Sequence, residues 1–288
     1  MIKLKISVII PTLNCEDTIY NCLNSLKDQN LEEKTSLEII IIDGGSTDKT
    51  IDEIKKFNVK IFKDHKSLGS SRSLGVKMAT GNYIVFIDAD ETADQNWIKE
   101  LINTPISNFD AVEGATIPLI RFSKWEKMYY FVYFLKDRTK SEIRSLFFTT
   151  NFIINSKVAK KLNFDPNLNL GEDADFSYRF YCSKYKVAHN PNAITYHKVP
   201  STVFTIIKKE AKYGKGILTF FGKHHDLYSL KFLIQSSIYC ISPVYFFRIV
   251  RKILEIKLSN SLLLFLFGMI KTLGCFIGYL QFIVKHIK

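Results

Sequence analysis

The first ninety residues alternate between short apolar runs and helical patterns, and this alternation restricts the fold more than any other feature. The runs at 6–10, 37–42, 59–62 and 83–87 are rich in β-branched residues, which is typical of strands buried on both faces. Helical spacing separates them, as at 68–79. This pattern predicts an α/β fold with a mostly parallel sheet that is covered by helices on both faces.

Three of these four predicted strands end in polar or acidic residues. The first runs into Thr12-Leu13-Asn14, the second into Asp43-Gly44-Gly45 and the fourth into Asp88-Ala89-Asp90. Ligands of parallel sheets bind beyond the carboxyl ends of the strands. We therefore expect these segments to form one binding site.

Asp88 and Asp90 indicate a metal or phosphate site. Two carboxylates two residues apart can approach one ligand, and Mg²⁺ or Mn²⁺ commonly bridges carboxylates to phosphates. The tripeptide also fits a polar turn that merely ends a strand. Arg72, near the start of the predicted helix 68–79, suits a pyrophosphate or an exposed surface position. His197 could add a metal ligand if an ion lies nearby.

A second acidic segment opens the helical pattern that follows Gly171. Glu172, Asp173 and Asp175 stand in its first turn, where the helix dipole favours negative charge. These acids, with one more in the preceding turn, exceed what capping needs, so a carboxylate here could act as a general base. Arg179 is one turn beyond Asp175 and could pair with it.

Taken together, these segments resemble the family 2 glycosyltransferases, whose catalytic domain has the GT-A fold. The resemblance covers roughly residues 5–220, with the motifs in the expected order. It rests on the segments 6–14 (ISVIIPTLN), 42–48 (IDGGSTD), 69–75 (GSSRSLG), 79–84 (ATGNYI), 86–91 (FIDADE), 171–175 (GEDAD), 196–197 (YH) and 212–216 (KYGKG).

The resemblance implies a role for each candidate residue. It implies an acceptor oxygen that displaces a nucleoside diphosphate in one step, with inversion of the sugar and a divalent metal, Mg²⁺ or Mn²⁺. Asp173 would be the general base. The expected donor-binding residues are Pro11, Thr12, Asn14, Asp43, Arg72 and Asp88; the metal ligands Asp90, His197 and Asp88; and the acceptor-side residues Glu172, Asp175, Arg179 and Trp125.

Three positions depart from the usual family pattern. Leu13 stands where relatives often carry an aromatic residue, Gly44 replaces a common aspartate, and Ser73 replaces a frequent asparagine. These changes bear on donor preference more than on catalysis. The sequence lacks the Gln-x-x-Arg-Trp signature of processive synthases, which favours addition of a single sugar.

Residues 122–134 form an aromatic segment that includes Trp125. In the resembled family this segment tends to shape the acceptor site. Its rings could stack on sugars or lie at a lipid interface, or the segment could be a helix that packs its aromatic side chains on the core.

The C-terminal region is both basic and apolar. From Ser201 onwards it has thirteen Lys and Arg against three Asp and Glu, whereas the chain as a whole has a net charge of +12. Residues 232–247 carry no charge and 258–284 carry only Lys271, while Arg248, Arg251, Lys252 and Lys257 lie between these runs. We expect helices that lie in or re-enter a membrane interface, with a single span or a soluble helical pair as alternatives.

The cysteines suit a reducing compartment. The five are scattered without a Cys-x-x-Cys pair, so we expect neither disulfides nor a zinc site. Together with the basic apolar tail, this predicts a location at the cytoplasmic face of the cell membrane.

We therefore expect a GT-A catalytic domain at 1–220, with a donor half at about 1–118 and an acceptor half at about 119–220, followed by membrane-associated helices at 221–288. The expected activity is transfer of one sugar from a UDP- or GDP-sugar to a hydroxyl of a lipid-linked or membrane-proximal glycan acceptor. One alternative is transfer to a polyprenyl (dolichyl) phosphate, which needs no base. Another is a non-catalytic membrane-bound subunit. Long apolar runs disfavour nucleic acid as a partner.

Overall fold

The computed structural model describes residues 4–104, 108–119, 123–133, 149–224 and 258–287. The chain forms two compact units. The first comprises Met1–Leu119 and Lys136–Lys198, and the second comprises Ile120–Leu135 and Val199–Lys288. The donor half, acceptor half and membrane-associated region expected from the sequence stay a prediction.

The first unit contains an eight-stranded sheet with the strand order β3-β2-β1-β4-β7-β6-β8-β5. Neighbouring strands β3, β2, β1 and β4 are parallel, as the sequence predicts. Strand β7 is antiparallel to β4 and β6, and β5 is antiparallel to β8, so the complete sheet is mixed. The strands are β1 Leu4–Thr12, β2 Thr35–Asp43, β3 Lys60–Lys63, β4 Tyr83–Phe86, β5 Glu91–Ala93, β6 Ala111–Leu119, β7 Phe152–Asn155 and β8 Val187–Lys198.

Helices cover both faces of this sheet. Because successive strand residues point to opposite faces, Ile6, Val8 and Ile10 enter one apolar core and Ile9 enters the other. The helices of the first unit are α1 Ile19–Lys27, α2 Thr50–Ile54, α3 Leu68–Met78, α4 Trp97–Asn103, α6 Ser156–Leu162 and α7 Glu172–Cys182. Those of the second unit are α5 Lys124–Tyr133, α8 Val203–Lys223 and α9 Leu258–Ile287.

The start of α3 binds the loop that leads into α7. The Ser67 hydroxyl donates to the carbonyl of Pro166 at 2.6 Å, and the Gly69 amide donates to the carbonyl of Leu168 at 2.9 Å. A Cβ at Gly69 would lie only 2.2 Å from the Asp165 carbonyl oxygen, so glycine permits this close approach. The contact brings the acidic start of α7 beside α3.

In the second unit, α8 and α9 pack closely through small residues. Ile207 lies against Gly274, Ala211 against Gly278 and Gly214 against Cys275, so glycines of both helices stand at the points of closest approach. Within the part of the chain that the structure describes, no helix has the length and apolarity that crossing a membrane requires.

Part of the expected membrane region lies outside the described residues. This applies to the apolar run at 232–247, to the cations at positions 248, 251, 252 and 257, and to Phe122 and Phe134 of the aromatic segment. Tyr129 of that segment lies on a helix, is buried and packs edge-on against Phe267, which agrees with the alternative of a helix whose aromatic side chains pack on the core.

Replacing Gly69 with Ala tests the contact between α3 and the loop before α7. The added methyl group would meet two backbone carbonyls, which cannot move like a side chain, so the free energy of unfolding should fall by about 1–3 kcal/mol. Urea denaturation measures this change. Gly222→Ala is the matched control, because open space surrounds that helical position and alanine should be neutral or stabilising. Equal behaviour of the two variants would contradict the packing.

Candidate active site

The loops after β1 and β2 are joined by the side chain of Asn14 and stiffened by that of Asp43. The side-chain Oδ1 of Asn14 accepts the backbone amide of Thr47 at 2.9 Å. The backbone amide of Asn14 donates to Ser46 Oγ at 3.0 Å. The Asp43 carboxylate accepts the amides of Gly45 and Ser46 at 3.2 and 3.1 Å. These contacts fix one wall of the site at the carboxyl ends of the two strands.

Pro11 and Thr12 end β1 directly beside this wall. Thr12 is buried, and its carbonyl accepts the Gly44 amide at 2.8 Å. Leu13 is 60% exposed, and its Cβ lies next to Gly44. At this position the resembled family often carries an aromatic residue, which could stack on a nucleobase. This chain has an exposed aliphatic side chain there instead.

Arg72 lies at the centre of the site and is buried. Its Nη2 is 3.1 Å from Asp88 Oδ1, and its Nη1 pairs with Glu172 Oε1. The guanidinium also lies over the ring of Phe164, 5.9 Å from its centroid. The Nε group has no hydrogen-bond partner among the described residues. Of the two sequence interpretations, the exposed surface arginine is therefore wrong.

The two acids at the start of α7 have raised pKa values. Burial raises the pKa of Glu172 from 4.5 to about 7, although the neighbouring Arg72 charge opposes the shift. Burial also raises the pKa of Asp173, against the lowering effect of Arg72. Asp173 Oδ1 accepts the Ala174 amide at 2.7 Å. These carboxyls can hold and release protons closer to neutral pH than ordinary surface acids.

The Asp88–Asp90 turn is closed by a residue that the sequence analysis did not single out. Glu91 is buried, its amide donates to the Asp88 carbonyl at 3.0 Å, and its Oε2 lies 3.4 Å from the Asp88 amide. In the sheet, Glu91 of β5 lies opposite His197 of the antiparallel strand β8. An acid directly after the two aspartates was the only sequence signal for this role.

The same turn places Asp90 beside His197, with Asp90 Oδ2 and His197 Nε2 3.4 Å apart. Asp88 is directed towards Arg72 instead. Among the described residues, no group of three or more His, Cys, Asp or Glu side chains is arranged to hold a metal ion. Mg²⁺ usually takes one or two carboxylates and completes its shell with substrate phosphates and water. Asp90 offers one such carboxylate, and His197 lies beside it as a nitrogen donor.

Asp175 and Arg179 form the ion pair that their spacing suggested, at 2.8 Å. Asp175 is fully buried, and Arg179 also donates to the carbonyls of Leu162 and Asn163 at 2.6 and 2.8 Å. Both side chains therefore join α7 to the end of α6. Trp125 lies on α5 in the second unit, with Lys124 Nζ 5.5 Å from its ring centroid.

Comparison with known proteins identifies the class of this site. Residues 7–162 match the family model for glycosyl transferase family 2, which is more than half of the chain. The chain belongs to this family. It is therefore a glycosyltransferase, and the resemblance noted in the sequence is confirmed.

The chain is similar to two named transferases over most of its length. The chain is 28% identical over 79% of its length to a dolichyl N-acetyl-α-D-glucosaminyl phosphate 3-β-D-2,3-diacetamido-2,3-dideoxy-β-D-glucuronosyltransferase of Methanococcus voltae, and spans 78% of that protein. It is 25% identical over 73% of its length to glycosyltransferase AglE of Haloferax volcanii, and spans 72% of it. Other relatives are longer, since the chain spans only 29% of GlyA from Streptococcus pneumoniae.

Solved structures confirm the GT-A class of fold. Mannosyltransferase PcManGT from Pyrobaculum calidifontis, in complex with GDP-Man and Mn²⁺, aligns with 97% of this chain and 87% of its own, with a TM-score of 0.66 and 15% identity. S. aureus TarS 1-349 in complex with UDP-GlcNAc aligns with 96% of this chain and 92% of its own, with a TM-score of 0.58 and 16% identity.

Replacing Glu172 with Gln tests the raised pKa. Because the pKa of Glu172 is about 7 in the folded chain and near 4.5 otherwise, its proton stabilises the fold fully at low pH and less as pH rises through 7. Gln mimics the protonated form. Relative to the wild type, the variant should therefore gain about 1–3 kcal/mol in free energy of unfolding between about pH 5 and pH 8. Urea denaturation at both pH values measures this, and a difference independent of pH would contradict the burial of an ionisable Glu172.

Proposed function

We propose that this family 2 glycosyltransferase moves a single sugar from a UDP- or GDP-sugar to a hydroxyl group of a lipid-linked or membrane-proximal acceptor. The transfer inverts the anomeric carbon and requires a divalent cation. Asp173 acts as the general base.

The observation that carries this proposal is the Arg72 cluster. Arg72 contacts Asp88 of the acidic turn and Glu172 of α7, so α3 joins two acidic segments from distant parts of the chain. A transferase needs such proximity, because donor phosphates and acceptor hydroxyl must meet within one site. The free Nε of the buried guanidinium is a donor that a phosphate oxygen would satisfy.

The donor would lie along the wall formed by the β1 and β2 loops. Pro11, Thr12, Asn14 and Asp43 shape this wall, with Asp43 holding the loop conformation on which base recognition depends. Asp90 and His197 would hold Mg²⁺ or Mn²⁺, with Asp88 nearby. When bound, the cation would offset negative charge on the departing diphosphate.

Asp173 is suited to accept a proton from the acceptor hydroxyl. Burial raises its pKa, which makes the carboxylate a stronger base than an exposed aspartate, while Arg72 keeps the ionised form accessible. Glu172 holds Arg72 and thereby positions the start of α7. Proton removal increases the negative charge on the attacking oxygen, which displaces the diphosphate from the opposite face of the sugar.

The expected acceptor follows from the relatives and from the tail. The name of the Methanococcus voltae relative describes a transferase that acts on a dolichyl-linked sugar phosphate. The basic and apolar C-terminal region would bring this chain to a cytoplasmic membrane surface where such acceptors are found.

Two substitutions separate donor binding from proton transfer. Asp90→Ala should weaken Mn²⁺-dependent binding of the nucleotide sugar, measured by calorimetry, and should lower turnover. Asp173→Asn should preserve that binding but lower kcat by about a hundredfold to ten-thousandfold, because the general base is lost. Release of nucleoside diphosphate measures turnover.

Asp52→Asn is the control, since Asp52 lies on the surface of α2 beside Lys55. It should bind and turn over the donor like the wild type. Full activity of both site variants would contradict the mechanism. A mild effect of Asp173→Asn alone would instead favour a polyprenyl phosphate acceptor, which is already an anion and needs no base.

A further inference from the structure

Helix α9 carries a continuous apolar stripe on its surface. The exposed side chains are spaced alternately three and four residues apart, so they lie on one face of the helix over about 21 Å. Each is between 43% and 50% exposed: Leu266, Met269, Leu273, Phe276 and Leu280. Scattered surface apolar residues are common, but a contiguous stripe indicates an interaction surface.

The opposite face of α9 is already covered by α8. Gly274 and Gly278 allow the α8 backbone to approach closely, and Lys271 on this face lies 3.7 Å from the buried Glu210 carboxylate. Because α8, which carries several lysines, covers one side of α9, lipid cannot surround α9 on all sides. The stripe can therefore meet an apolar phase only along one side.

Among the described residues of this unit, the exposed charges are cationic. Its described residues include nine lysines and two glutamates, and both glutamates are buried. Glu126 accepts the Ser123 amide at 3.0 Å, and Glu210 lies beside Lys271. The exposed lysines include Lys124, Lys127, Lys208, Lys212 and Lys223. An apolar stripe on one helix, together with exposed lysines in the same unit, complements an anionic lipid surface.

We propose that the stripe of α9 binds an anionic lipid bilayer, with the helix axis lying along the membrane surface and the five apolar side chains inserted between the lipid headgroups. The inference deepens the membrane-proximal acceptor proposed above, on which it rests for its biological role. It assigns a defined face of the chain to the contact and an interfacial position rather than a span.

The residues that flank the stripe favour lipid over a second copy of the chain. The 3–4 spacing also occurs in coiled coils, whose flanking positions usually carry charges that select the partner. Here the flanking positions are Ile270 and Ile277 on one side and Phe265, Thr272 and Tyr279 on the other, with no charge. Contact with lipid tails requires no paired charges at these positions.

Vesicle binding tests the proposal with the full chain. The probes are vesicles of phosphatidylcholine alone and of an equimolar mixture with phosphatidylglycerol, and co-sedimentation measures the bound fraction. The wild type should prefer the mixed vesicles. The double variant Leu273→Gln/Phe276→Gln should bind them at least about tenfold more weakly, because two inserting side chains become polar.

The control is Met78→Gln/Tyr181→Gln, which makes the same change at two exposed apolar positions in the first unit. This control should bind vesicles like the wild type. In addition, a Leu273→Trp reporter should shift its fluorescence to shorter wavelength when mixed vesicles are added. This reporter reads insertion without weakening the stripe.

Unchanged vesicle binding by the Leu273/Phe276 variant, or no shift of the reporter, would overturn the proposal. Two further results would also overturn it. In one, the wild type binds nucleic acid but not vesicles; in the other, the Leu273/Phe276 variant differs from the wild type only in a lower oligomeric mass, measured by light scattering. Release of nucleoside diphosphate without vesicles should be unaffected by the variant. Failure of the catalytic proposal would abolish that release in the wild type but leave vesicle binding readable.

Discussion

The guanidinium of Arg72 is the contact on which the candidate site depends. It is buried at the start of α3 and pairs with Asp88 and Glu172, which come from segments separated by more than eighty residues. Removing this charge would leave two acidic segments facing each other without compensation, which is costly away from water. The same charge limits how far burial raises the pKa values of Glu172 and Asp173. Arg72 therefore links the architecture of the site with its proton chemistry.

Backbone packing makes this arrangement possible. Gly69 lets the loop at 165–168 approach α3 closely, and that loop sets where α7 begins. At the other side of the site, Glu91 holds the Asp88–Asp90 turn against β8, so that Asp90 meets His197. The segments proposed to bind donor and acceptor are thus held by α3 on one side and by β8 on the other, near the carboxyl ends of parallel strands, where such sheets generally bind their ligands.

The parallel part of the fold was predictable from the sequence because β1 to β4 are short apolar runs separated by helical patterns. Strands β6 and β7 were not predicted, since β6 contains Glu113, Gly114 and Pro118 and β7 has only four residues. The site residues were found from strand ends and family motifs. The burial of Arg72 was not predictable, because its partners are 16 and 100 residues away and nothing local indicates them.

We propose, as the central claim, that the cluster around Arg72 forms the working donor site of this glycosyltransferase. The most direct measurement incubates the purified chain with a panel of UDP- and GDP-sugars, with Mn²⁺ or with a chelator, and follows release of nucleoside diphosphate with and without lipid extract. We predict that one donor is consumed, only with the cation and faster with lipid. No turnover of any donor, together with no metal-dependent nucleotide binding, would contradict the claim and indicate a non-catalytic subunit.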